Sequence, residues 1–233
     1  MQERYKKNCG SFMTEEHQDI LLTKTFAVIG VGGNGGYIAE FLARQGCKKL
    51  ILVDFDNFET SNLNRQIFCN EENLYLNKAE QAVFQLQKIN SSIEYEYYCF
   101  PFGTQEISSM KECDMIFFAA DNNQYILKCR EMLSSLILSG IPVVEQYIWD
   151  RGVVVGIVTR DSLSLFEQDT IAWINSEQIM LSQPAWLCSI AASLAVAETW
   201  KYFSGMDSLV GQKIFYDVYE NQMHRLIGDC FVY

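Results

Sequence analysis

The stretch Thr25-Phe-Ala-Val-Ile-Gly30-Val-Gly32-Gly33-Asn-Gly35-Gly36 sets the fold class. A short apolar run ends in five glycines within seven residues, and Gly36 to Arg44 is rich in helix formers. A plain packing turn is a poor account of so many glycines, because each loses more conformational freedom on folding than any other residue. Between a strand and a helix they let backbone N–H groups approach a phosphate, with the positive end of the helix behind them. The next apolar run, Lys49-Leu-Ile-Leu-Val-Asp54, closes on an acid nineteen residues past Gly35. An acid so placed accepts hydrogen bonds from ribose hydroxyls. The G-x-G-x-x-G spacing is weak alone. With strand, helix and terminal acid in register it predicts a Rossmann-like nucleotide site that uses Gly30, Gly32, Gly33, Gly35 and Asp54.

The rest of the chain extends this pattern. Ala79, Ala82, Val83, Leu86 and Ile89 recur at helical spacing, and Ile93 to Phe100 is β-rich. Asp114-Met-Ile-Phe-Phe-Ala119 is a continuous apolar run, as in a strand covered on both faces. A helix is predicted from about Gln124 to Leu136, and strands over Pro142–Tyr147 and Gly152–Thr159. Such alternation means a mostly parallel α/β sheet with helices on both faces. Residues 161–183 are poorly periodic. A strong helix follows from Ala185 to Phe203, and Gln212–Tyr219 with Gln222–Leu226 read as a closing antiparallel extension. One domain is expected over 1–233: a helical arm at 1–24, a nucleotide-binding core at 25–160, and a crossover segment, helix and closing strands at 161–233.

Composition narrows the classes. The 233 residues are 49% hydrophobic with only three prolines, which excludes a disordered chain. The net charge is −11 and no basic run exceeds a pair, so nucleic-acid binding is not expected. The first twenty residues are charged with no apolar core behind them, and Trp186–Ala197 is too short to span a bilayer. A cytoplasmic protein without membrane contact is expected. The eight cysteines include no C-x-x-C pair and there are two histidines, so reduced thiols and no zinc are expected.

Beyond Asp54 the chain is crowded with polar groups: Asp56, Asn57, Glu59, Ser61, Asn62, Asn64, Arg65 and Gln66. A hydride-transfer site needs an apolar bed for its nicotinamide. Here Asn62, Arg65 and Gln66 are suited to phosphate oxygens instead. Thirteen residues on, Lys78 lies near a helix start, where a cation opposes the helix dipole unless an anion is nearby. Arg65 and Lys78 together form a candidate triphosphate clamp. Asp121-Asn122 follows the strand at 115–120, at the same edge of the sheet. Its carboxylate suits Mg²⁺ against phosphates, and equally the cap of the following helix.

In order and spacing, Gly30-x-Gly-Gly-x-Gly35, Asp54-Phe-Asp56, Ser61-Asn-Leu-Asn-Arg65-Gln66, Lys78-Ala-Glu80 and Ala120-Asp121-Asn122 resemble the ThiF/MoeB/HesA family, relatives of the adenylation domain of ubiquitin-activating enzymes. The resemblance takes in nearly the whole chain, from Arg4-Tyr5 to Tyr216-Asp217. It implies an adenylyltransferase. Mg-ATP binds at the carboxyl edge of the sheet, and a carboxylate attacks the α-phosphorus to give an acyl-adenylate and pyrophosphate. Gly33 would meet phosphate and Asp54 ribose, with Asp56 beside it. Ser61, Asn62 and Arg65 would meet the nucleotide's polar parts, Lys78 its phosphates, and Asp121 Mg²⁺ with Asn122 adjacent. The implied acceptor is the C-terminal Gly-Gly of a small ubiquitin-like sulfur carrier of the ThiS or MoaD type. A peptide or small carboxylate, a degenerate partner subunit and an NAD or FAD oxidoreductase remain as alternatives.

Three departures stand out. The family's Arg-Tyr-x-Arg supplies an arginine finger to the other subunit of a dimer, and here Lys7 holds that place in Arg4-Tyr5-Lys6-Lys7. The paired C-x-x-C zinc ligands of many relatives are absent. The crossover reads Asn175-Ser-Glu-Gln178 where relatives often carry a reactive cysteine. Cys188 falls in the apolar helix and is read as core. Cys69, shortly after Arg65-Gln66, is the thiol expected closest to the nucleotide. The enzyme is expected to stop at the adenylate. A homodimer is also expected, because helix 185–203 is apolar over more of its circumference than one sheet face requires.

Overall fold

The computed structural model describes residues 3–120, 125–149, 151–164, 166–168 and 182–226. Strand β1 (Thr25–Ile29) feeds helix α2 (Gly33–Gln45), which returns to β2 (Lys49–Val53). Helix α3 (Lys78–Ile89) then leads to β3 (Glu94–Tyr98). Strand β4 (Met115–Phe118), helix α4 (Ile126–Leu138), β5 (Val143–Trp149) and β6 (Gly152–Val158) follow. Helix α5 (Ala185–Phe203) and strands β7 (Lys213–Asp217) and β8 (Gln222–Leu226) complete the sheet, and α1 (Glu15–Leu22) precedes it. The eight strands lie in one sheet in the order β3-β2-β1-β4-β5-β6-β7-β8. The first five are parallel, and pairing turns antiparallel from β5 to β6 onward.

Alternation along each strand explains the unbroken apolar runs. Phe26, Val28, Leu50, Leu52, Met115 and Phe117 point to a core shared with α2, α3 and α5. Their neighbours Ala27, Ile29, Ile51, Val53, Ile116 and Phe118 point to a second core under α4. Successive side chains leave opposite faces of a strand, so a strand with helices on both sides must be apolar throughout. Strand β3 is the edge and reads Glu-Tyr-Glu-Tyr-Tyr, only partly buried.

Two expectations are corrected in position. Helix α2 begins at Gly33, inside the glycine stretch rather than at Gly36. The antiparallel part of the sheet begins at β6, well before residue 212. Much of helix α5 is covered within one chain, although Trp186 at its start stays 57% exposed. Leu187, Cys188, Ala191, Ala192, Ala195 and Val196 are buried, and Phe12 and His17 pack edge-on against Trp200. Its buried Glu198 accepts from the Leu209 amide at 2.9 Å and from Lys201. Most of the apolar surface of α5 is thus buried within one chain, and Trp186 is left exposed. No helix among the described residues is long and apolar enough to cross a membrane.

Candidate active site

All parallel strands end at one edge, and there the chain builds a cavity of about 600 Å³. Its wall begins with the glycine turn. Gly30 has φ +87°, and a Cβ there would lie 2.8 Å from the Ala119 carbonyl carbon and the Ala120 nitrogen. A Cβ on Gly35 would lie 1.8 Å from the Gly30 carbonyl oxygen. These two glycines bring the start of α2 down onto the ends of β1 and β4. Gly35 thus shapes the cavity without lining it, whereas Gly30, Gly32 and Gly33 line it directly. Gly32 caps α2 with no side-chain hydrogen bond, and no acid occupies the first turn. The open amides and the helix dipole are suited to an anion.

Asp54 lies just past β2 and is buried. Its Oδ2 accepts from the Val31 amide at 2.7 Å and its Oδ1 from the Asp56 amide at 2.9 Å. Burial pushes its carboxyl above the usual aspartate range, against the pull of Lys78 and the two amides. Ribose hydroxyls donating to it would relieve that desolvation. Asn77 caps α3 through the Glu80 amide and ties the helix to the carbonyls of Asp54 and Asp56. This places Lys78, the first residue of α3, with Nζ 3.2 Å from Asp56 Oδ2. The anion that the cation needed is Asp56, and both residues line the cavity.

Arg65 donates from Nη1 to the Ser61 carbonyl and to Asn64 Oδ1, each at 2.9 Å. Its Nε is buried without a partner. Asn62 Oδ1 accepts from the Glu59 amide at 3.1 Å, and its Nδ2 donates to Ser61 Oγ at 3.3 Å. Arg65 and Asn62 line the cavity, whereas Ser61 is exposed and acts by orienting Arg65. Asp121 and Asn122 lie outside the described residues, as do Asn175–Gln178 and Cys230. Ala119 and Ala120 before Asp121, and Tyr125 after Asn122, line the cavity.

The structure adds residues that no motif marked. Phe55 meets Tyr125 edge-on at 5.3 Å, and Phe100, Pro101 and Phe102 supply an apolar wall. From β5 come Glu145, Gln146, Tyr147 and Ile148. Glu145 is buried between Arg130, at 3.0 Å, and Lys213, at 2.5 Å. Lys213 reaches it across Gly156, where a Cβ would meet the lysine Cγ at 2.6 Å. Four residues that line this one cavity carry buried polar atoms without partners: Asn34 Oδ1, Arg65 Nε, Gln66 Oε1, and Nε2 and Oε1 of Gln146. A native fold leaves few such groups unsatisfied, so their convergence marks a place for a polar ligand.

Cys188 is buried as expected, whereas Cys69 falls differently from expectation. Cys69 does not line the cavity, because its turn directs Sγ toward the Glu59 carbonyl at 3.9 Å. Cys129 on α4 does line it, donates to the Phe102 carbonyl at 3.0 Å, and is pushed up to about 11 by burial. Cys188 is fully buried under Gly33 and is likewise raised, to about 11, by burial. Neither is a ready nucleophile.

Lys7 lies at the opposite edge of the sheet. Tyr5 is buried beside Gly46 and accepts from Asn90 Nδ2 at 2.9 Å, while Arg4 donates to Asn90 Oδ1. Asn8 bonds to Gln18 and Gln45. These contacts hold residues 4–8 at the C-terminal end of α2, about 20 Å along that helix from the cavity.

The ThiF family model matches residues 5–228. The chain belongs to the ThiF family. It is 41% identical over 93 residues to ubiquitin-like modifier-activating enzyme 5 of Bombyx mori, covering 40% of this chain and 23% of that protein. It is 32% identical over 121 residues to adenylyltransferase and sulfurtransferase MOCS3 of Xenopus laevis, covering 51% of this chain and 26% of that protein. The matched stretches thus span about a quarter of these curated relatives. Among solved structures, MccB of E. coli with ATP superposes with TM-score 0.76 at 21% identity, covering 97% of this chain and 71% of that one. PaaA gives 0.72 at 24% identity, covering 90% and 65%. The fold of this ThiF chain is therefore shared with MccB and PaaA.

Proposed function

We propose that this ThiF-family chain is an ATP-dependent adenylyltransferase, and that its acceptor is the C-terminal carboxylate of a small ubiquitin-like carrier ending in Gly-Gly. One observation carries the reading: unpartnered buried polar atoms and an uncapped helix N-terminus converge on a single cavity. The relatives named as a ubiquitin-like modifier-activating enzyme and an adenylyltransferase support it.

The first turn of α2 would hold the phosphates, and Asp54 would accept from ribose. An acceptor carboxylate oxygen bonds to the α-phosphorus as the bond to the bridging oxygen breaks, and the electron pair leaves with pyrophosphate. Arg65 and Lys78 stand where that negative charge gathers. Fixed cations there need no reorganisation as the charge moves, which favours the transition state over the ground state. Mg²⁺ takes one or two carboxylates and otherwise phosphate and water, and the acids Asp56 and Glu59 in the cavity wall fit that requirement. Asp121, with Asn122 beside it, is the proposed principal ligand. When bound, Mg²⁺ neutralises phosphate charge. No zinc role is proposed. Lys7 would reach a cavity only from a second copy of the chain, so the working form proposed is a homodimer.

The test is incubation with ATP and a ThiS- or MoaD-type carrier, read by intact mass. The expected product is carrier bearing one AMP, with no thiol-labile adduct on the enzyme. Carrier that stays unmodified while a short peptide acquires AMP would replace the carrier with a peptide acceptor.

A further inference from the structure

Gln146 is the most exceptional polar side chain of the cavity. It is 3% exposed, and neither Nε2 nor Oε1 has a hydrogen-bond partner. Its neighbours on the same face of β5, Val144 and Ile148, pack into apolar clusters, so the sheet has given an amide a place suited to a hydrocarbon. Burying such a group unsatisfied costs the full desolvation of both its donor and its acceptor. The fold gains nothing from that cost by itself.

The backbone around Gln146 is open as well. Strand β4 pairs with β5 only from Ile116↔Val143 to Phe118↔Glu145. Among the described residues, β5 continues from Gln146 onward beside β6 alone, and Gln146, Tyr147 and Ile148 line the cavity. An extended segment lying there would run along a strand edge that no described strand pairs with, beside Gln146. Asp54 follows β2, and the order β2-β1-β4-β5 sets Gln146 three strands away, about 14 Å at sheet spacing. That distance separates Gln146 from the ribose end of the nucleotide.

Resting on the adenylation reading, we infer that Gln146 is the residue by which this chain reads its acceptor, pairing with a peptide amide next to the reacting carboxylate. A carboxylate alone would satisfy only Nε2 and leave Oε1 unpaired. A peptide group offers both a C=O and an N–H, and so completes both atoms. Carboxylates with a peptide bond beside the terminus are accepted, and simple alkyl carboxylates of equal length are poor substrates. Gln146 is a specificity residue and takes no part in bond making.

The probes are two stable acyl-adenylate analogues, 5′-O-(N-acylsulfamoyl)adenosines. One carries N-acetylglycyl, with one amide, and the other pentanoyl, of equal length without it. Calorimetry on the full chain is expected to show about tenfold preference for the amide-bearing analogue, the worth of two net hydrogen bonds. In Gln146→Met and Gln146→Leu that preference falls to near unity while AMP affinity holds. Ligand-free, either variant is expected to melt about 2–4 °C above the parent, since an unsatisfied amide is gone. Preference retained in both variants overturns the inference. So does AMP affinity that falls in parallel, which would put Gln146 on the nucleotide, or a lowered melting temperature in both, which would make it a structural partner. If the unaltered chain fails to bind AMP, the adenylation reading falls and takes this inference with it.

Discussion

At the scale of residues, the site is a set of charges held in place by backbone. Arg65 is the clearest case. Its guanidinium bonds only to the Ser61 carbonyl and the Asn64 side chain, both at the surface, while its Nε points unpaired into the wall. Replacing it by alanine removes little packing and one preorganised cation. Arg65→Ala is expected to lower adenylate formation by about 10²–10³, in the range for loss of one transition-state donor. Its melting temperature should stay within a few degrees of the parent. A tenfold or smaller loss would move the charge stabilisation elsewhere. Arg65, Lys78 and Asp54 were legible in the sequence because a fixed spacing from the glycine turn ties each to the carboxyl edge. Gln146 was not legible, since within Val-Val-Glu-Gln-Tyr it reads as one more strand position. Only the end of the β4 pairing at Phe118 sets it in the cavity wall. Cys69 and Cys129 show the same limit, because proximity in sequence to Arg65 says nothing of which way a turn directs a thiol.

At the scale of elements, the glycine turn and α2 act as one unit. The turn closes so tightly that a single methyl has nowhere to go. Gly35→Ala would set a Cβ 1.8 Å from the Gly30 carbonyl oxygen, and backbone must shift to relieve it. A loss of about 3 kcal/mol or more is expected in urea unfolding, with nucleotide binding lost alongside. Gly10→Ala is the control, since a Cβ there meets nothing within 4 Å, and it should change stability by less than about 0.5 kcal/mol. If both substitutions proved neutral, the tight turn would not be the element that sets the site. The strands were legible because both faces are covered. The start of α2 was not, because glycine has poor intrinsic helix propensity and tertiary contact overrides it here. The direction of β6 was not legible either, since Gly-Val-Val-Val-Gly-Ile-Val pairs equally well in both senses.

At the scale of the whole molecule, the N-terminal segment and the cavity occupy opposite edges of one sheet. Arg4 and Tyr5 are anchored to Asn90 at the amino edge, so Lys7 cannot serve its own cavity. A homodimer in which each copy lends Lys7 to the other predicts twice the chain mass in light scattering at micromolar concentration. It also predicts that Lys7→Ala lowers kcat more than it weakens ATP binding. Monomer mass throughout that range, or a Lys7→Ala variant with full turnover, would remove the shared site. The family and the parallel core were legible at this scale, because five motif blocks recur in register. Most of the apolar surface of α5 is covered by the chain itself, with Trp186 left exposed.

The central claim is that this cavity joins a carboxylate to AMP and releases pyrophosphate. Exchange of labelled pyrophosphate into ATP tests it most directly, because label enters ATP only if the adenylate forms reversibly on the protein. Exchange that requires a Gly-Gly-ending carrier, and that falls at least a hundredfold in Arg65→Ala, is the predicted result. Absence of exchange with ATP, Mg²⁺ and carriers of both types, from a folded chain that still binds ATP, would contradict it.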